Sequence, residues 1–163
     1  MKKLENIEKH LRKAKTWNMV LLVLGLISLA SSLFSLPSTL NPPKETYDAM
    51  GSYGAQMYEY LNSPMTKAIY IISLVITIAL IVCYFMANKK LKEGKAPSKI
   101  PYFAKLGWTV VSLLIGFITT PKGEFMGVDM SAATQITSIV TSALISIPAI
   151  LVIVHLFKAE PEE

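Results

Sequence analysis

Charge is scarce in this chain: 17% of its 163 residues are Asp, Glu, Lys or Arg, against about 25% in soluble domains. A globule of this size leaves much of its surface in water and needs more charge than that. Cysteine is scarcer still. Cys83 stands alone, which excludes a disulfide framework, a C-x-x-C redox pair and a cysteine metal cluster. A lone cysteine of this kind reads as a small buried apolar residue. His10 and His155 are the only histidines, and no H-E-x-x-H or similar metal spacing relates them. There is no glycine-rich phosphate loop and no G-x-S-x-G motif. Glu45, Asp48, Glu59, Glu124 and Asp129 are scattered, with no pair spaced for acid/base work. The expectation is a protein that is not an enzyme and carries no catalytic, cofactor or metal site.

Apolar residues are abundant instead, at 52%, and mean hydropathy is +0.46. They fall into four blocks. A bilayer core about 30 Å thick needs about 20 apolar residues in helix. Residues 17–36 and 68–87 are uncharged runs of that length, and 136–157 contains a single His near its end. The third block is weaker. Its uncharged stretch covers only Leu106–Thr120, and a full span over 102–120 requires Lys105 to snorkel to the headgroups. The fold expected is all-α and polytopic, a four-helix transmembrane bundle. Its first block is longer than the about 7–15 residues of a signal-peptide core and reads as an uncleaved span.

A net charge of +5 would point to nucleic acid in a soluble chain; here it sorts by segment. Residues 1–16, the segment 88–105 and the tail 158–163 hold 13 basic and 6 acidic residues, whereas the loops 37–67 and 121–135 hold 3 and 5. The positive-inside rule then places both termini and the basic loop 88–101 in the cytoplasm, in a multi-pass cell-membrane protein. The partner expected for these lysines is the anionic headgroup layer of the bilayer, and no nucleic acid is expected.

Outside the spans, Leu4, Ile7, Leu11 and Ala14 recur at helical spacing. They make 1–16 an amphipathic interfacial helix, either a topology anchor or a docking helix for lipid or a partner. In the first outer loop, Asn41-Pro42-Pro43 signals a helix start, and a short helix follows. Its Tyr47, Met50, Tyr53, Met57, Tyr58 and Tyr60 read as partner-contact candidates, because aromatics and Met are enriched in interface cores. The alternative is a cover over the mouth of the bundle. Ser63-Pro64 caps the second span, and Asp129 or Ser131 caps the fourth.

Three spans carry small or weakly polar stripes: Gly25, Ser28, Ser32 and Ser35; Thr109, Ser112, Gly116 and Thr119; Ser138, Ser142, Ser146 and Ala149. Such stripes are expected to be helix-packing seams; the alternative is a Ser/Thr-lined solute path. Pro148 is expected to bend the fourth helix. No Asp, Glu or Arg lies in any span, which counts against proton- or ion-coupled transport. The function expected is therefore a non-enzymatic membrane interaction protein, such as an accessory subunit of a membrane complex or an immunity-type protein. It would meet a membrane-protein partner, or itself, through the outer loop and spans. The alternative is an oligomeric channel or facilitator.

Overall fold

Two helix starts are written in the local sequence. Ser63 accepts from the Thr66 amide at 3.2 Å, and Pro64 follows it in the first turn. Asp129 accepts from the amides of Ser131 and Ala132 at 2.9 and 3.0 Å. Both satisfy amides that a helix leaves unpaired at its N-terminus. Of the two residues expected to cap the last helix, Asp129 does so. The computed structural model describes residues 2–160; residues 161–163 of the expected tail lie outside it. Its elements are α1 (Lys2–Leu40), α2 (Lys44–Asp48), α3 (Gly51–Asn62), α4 (Pro64–Lys92), α5 (Ile100–Thr119), β1 (Glu124–Phe125), β2 (Val128–Asp129) and α6 (Met130–Lys158).

The molecule is all-α apart from the β1–β2 hairpin, and α1, α4, α5 and α6 are long and apolar enough to cross a membrane. By length and composition it is a multi-pass membrane protein. Helix α1 packs on both α4 and α6, α5 packs on α6, and α4 meets α5 more sparsely. The described part of the N-terminal segment does not part from span one. Residues 2–40 form one uninterrupted helix, about 58 Å long at 1.5 Å per residue, which outruns a bilayer of about 40–45 Å with its headgroups. Leu11 and Ala14 are buried in the same cluster as Leu91, Leu156 and Ala159. That part of the amphipathic stripe thus faces protein.

The first loop holds two short helices where the spacing predicts one. They are split at Gly51, whose φ of +62° suits glycine. The second loop turns back as a hairpin in register Glu124↔Asp129 and Phe125↔Val128, which the sequence reading missed. Its two-residue turn, Met126-Gly127, has φ of +53° and +79°, the pattern of a type I′ turn. Pro148 lies inside α6 without ending it.

Candidate functional site

The bundle has two ends of different character. The terminal end carries the N-terminal half of α1, the α4–α5 loop and the last turns of α6. There Asn18, fully buried, links three helices: its Nδ2 donates to the Tyr84 carbonyl at 3.0 Å, and its Oδ1 accepts from the Tyr102 hydroxyl at 2.8 Å. The rings of Tyr84 and Tyr102 stack with centroids 5.6 Å apart. Leu21, Val152, Leu156 and Ala149 close around this knot. One signal for it is legible in the sequence, an Asn at the start of the otherwise apolar run 17–36.

Above the knot, His10 and His155 meet, with Nδ1 atoms 3.1 Å apart. One nitrogen must donate and the other accept, so at least one imidazole is neutral. His10 lies in the charged leader, outside the apolar run 17–36. Burial, with Lys158, Lys13 and Lys9 adding, holds it below its ordinary value. Among the described residues, no group of three or more His, Cys, Asp or Glu side chains gathers to hold a metal. Lys99 pairs with Glu160 and lies 4.1 Å from the centre of the Phe157 ring, tying α5 to the end of α6.

Toward the loop end the helices enclose less protein. Two cavities of about 330 Å³ lie side by side and share Lys105, Trp108, Thr109 and Ile145 as a common wall. One sits between α1, α4, α5 and α6; the other is a groove between α5 and α6. Lys105, expected to snorkel outward, is half-buried in that wall, with Nζ 3.5 Å from the Thr109 hydroxyl.

The expected stripes divide between seams and cavities. A Cβ on Gly25 would come within 3.0 Å of Ile81, so that glycine lets α1 and α4 approach closely. Ser32 and Ser35 meet the Tyr70 hydroxyl across the same seam. Ser146 and Ala149 are buried. Ser28, exposed, lines the central cavity, whereas Thr109, Ser112, Gly116, Ser138 and Ser142 line the α5–α6 groove. A Cβ on Gly116 would meet nothing within 4 Å. Several hydroxyls, those of Thr109, Thr119 and Ser146 included, bond to carbonyls four residues back in their own helices. They are satisfied without a neighbouring helix.

The first loop caps the far end. Tyr53 is 4% exposed and presses on Gly123, where a Cβ would come within 2.8 Å of its ring. Burial, with the Asp129 charge adding, pushes its phenol above the usual range. Tyr60 bonds the Thr119 hydroxyl at 3.4 Å. These two tyrosines hold the cap on the bundle. Tyr47 and Tyr58 pair with ring centroids 6.1 Å apart, and they, Met50 and Met57 are half-buried. Met126, absent from the expected set, stands at the hairpin tip with 87% of its surface exposed.

No family model, no characterised protein and no solved structure matches the chain.

Proposed function

We propose that this is a non-enzymatic integral membrane interaction protein whose partner-binding face is the loop-end cap, with Met126 at the hairpin tip and Tyr47, Met57 and Tyr58 on the loop helices. The supporting observation is Met126 itself, a long apolar side chain at φ +53° and 87% exposed. Asn or Gly takes that backbone conformation at lower cost. An outlier of this kind persists where the side chain it presents is used. The basic terminal segments orient the cell-membrane protein with both termini cytoplasmic, against anionic headgroups, and turn the cap outward. An accessory subunit of a membrane complex, or an immunity-type protein that meets a membrane-active toxin, would use such a face.

The test is photo-crosslinking in the native membrane from p-benzoylphenylalanine at Tyr58, followed by mass spectrometry. Met126→Asn relaxes the turn and removes the apolar tip. It should weaken capture about thirtyfold, the lower bound of an interface hot spot, with insertion intact. Full capture by that variant contradicts the reading.

The α5–α6 groove favours a second reading, an oligomeric channel or facilitator, because Thr109, Ser112, Thr134, Ser138 and Ser142 give it a hydroxyl-lined wall. Copies arranged about an axis would have to close that path. A purified protein that is monomeric and moves no solute in liposomes removes it.

A further inference from the structure

The leader of α1 is fastened to the rest of the bundle by little. Among the described residues from Leu4 to Thr16, His10 makes the one side-chain hydrogen bond to another helix, and its partner is the His155 imidazole. Besides it, Leu11 and Ala14 are buried in one cluster with Leu91, Leu156 and Ala159. The next polar tie, Asn18, lies about two turns further along α1, so a break above it leaves the knot intact. Two Nδ1 atoms 3.1 Å apart share one proton. When both imidazoles are charged, each Nδ1 carries a hydrogen and the contact turns repulsive. Lys9 and Lys13 on α1 and Lys158 on α6 act on His10, and no carboxylate offsets them. Lys13 and Lys158 act on His155 as well. Helix α4, which reaches the same cluster through Leu91, ends in Lys89, Lys90 and Lys92. The acids of this end are placed elsewhere: Glu160 pairs with Lys99 and Glu93 with Lys95, while Glu5 and Glu8 are exposed beside Lys9 and Arg12. Double protonation thus gathers five cationic groups, Lys9, His10, Lys13, His155 and Lys158.

We propose that the His10–His155 pair is an acid-released clasp: when both imidazoles are protonated, the leader parts from α6 and lays its Leu4, Ile7, Leu11 and Ala14 stripe on anionic headgroups. The apolar run begins at Trp17, so a bend there sets the leader at headgroup depth. The stripe is covered in either position, by protein or by the acyl boundary, and little hydrophobic free energy opposes the exchange. Leu4, 72% exposed in the clasped state, gains cover only in the released one. Charge then decides between the two positions. Residues 1–16 hold six basic and two acidic residues, which suits an anionic surface and no other part of this lysine-rich end. Because His10 is held below 6.5, the second proton enters only under acid conditions, and the clasp answers acidification of the compartment that the termini face. The clasp lies at the opposite end of the bundle from the cap and does not rest on partner capture.

Double electron–electron resonance on the full chain, in nanodiscs of phosphatidylcholine with phosphatidylglycerol, reads the release. Cys83→Ser removes the only cysteine. Asn6→Cys and Ala96→Cys, both at exposed positions, then carry nitroxides on the leader and on the α4–α5 loop. From about pH 7.5 to about pH 5, across the range in which imidazole titrates, the short distance should give way to a longer, broader distribution. His10→Leu with His155→Leu should keep the short distance throughout. If that pair does not fold, His10→Gln serves, since a neutral amide can still bond His155 and should keep the clasp closed. A nitrobenzoxadiazole probe on Leu4→Cys should shift to the blue in acid with phosphatidylglycerol present, and far less in phosphatidylcholine alone. An unchanged distance in the parent, the same change in a folded variant, release without the blue shift, or equal shifts in the two lipids overturns the proposal.

Discussion

The terminal half and the loop half of the bundle are built from the same four helices, yet the buried side chains gather in the first. At the terminal end large side chains meet small ones. Leu11, Leu21, Tyr84, Tyr102 and Leu156 share one buried cluster with Ala14, Ala87, Ala149 and Ala159. Toward the loop end small residues face small ones across α5 and α6, Ser112 and Gly116 against Ser138 and Ser142, and a groove is left between them. Small-residue stripes bring helices together when the backbones close in; Thr109 and Ser146 on these two helices instead bond to carbonyls of their own helix. Hydropathy decides which segments enter a membrane, and side-chain size across the interface decides where they pack.

Truncation at one leucine in each half should separate the two most sharply. Leu156 has no exposed surface and Leu144, on the same helix, is 61% exposed. Leu156→Ala should cost about 2–5 kcal/mol by loss of contact and formation of a cavity. Leu144→Ala should stay within about 0.5 kcal/mol of wild type. Thermal unfolding in detergent reads both, and equal losses would erase the contrast.

The polar knot sets the next largest difference. Asn18→Leu leaves the Tyr102 hydroxyl buried without its acceptor, at a cost of about 1–3 kcal/mol. Asn18→Leu with Tyr102→Phe should recover part of that, since removing both partners spares the penalty of the orphan. A double variant no better than the single one would show that the knot is not a coupled unit.

The smallest effect concerns acid. The folded state holds His10 below its ordinary value of 6.5, so the unfolded chain binds that proton more readily. The stability tied to His10 is whole above pH 6.5 and is lost as pH falls from there through the folded-state value. Doubly protonated imidazoles also cannot share the 3.1 Å Nδ1 contact. His10→Leu with His155→Leu should flatten this acid limb; an unchanged limb would place its origin elsewhere.

Much of the architecture was legible in the sequence, for stated reasons. Four apolar runs, Ser63-Pro64 and Asp129 gave the four long helices and two of their caps. Pairings made across the bundle were not legible. Asn18 with Tyr102 and His10 with His155 are separated by 84 and 145 residues, and no local spacing reports such contacts. The hairpin was hidden because its turn has Met126 where Asn is usual. Of the candidate contact residues, Tyr53 proved to be an internal strut, since tyrosine serves a buried cover as well as an exposed face. The stripes were legible as faces, but whether a face meets a neighbour depends on what lies opposite it.

The central claim, a bundle closed at its terminal end and open between α5 and α6, is tested most directly by mapping a membrane-soluble carbene photolabel on the native protein in lipid nanodiscs. Residue-level mass spectrometry should find adducts at Thr109, Ser112 and Ser142, which line the groove, and none at Ala149, Val152 and Leu156, which are fully buried. Comparable labelling of the two sets, or a groove free of adducts, would contradict it.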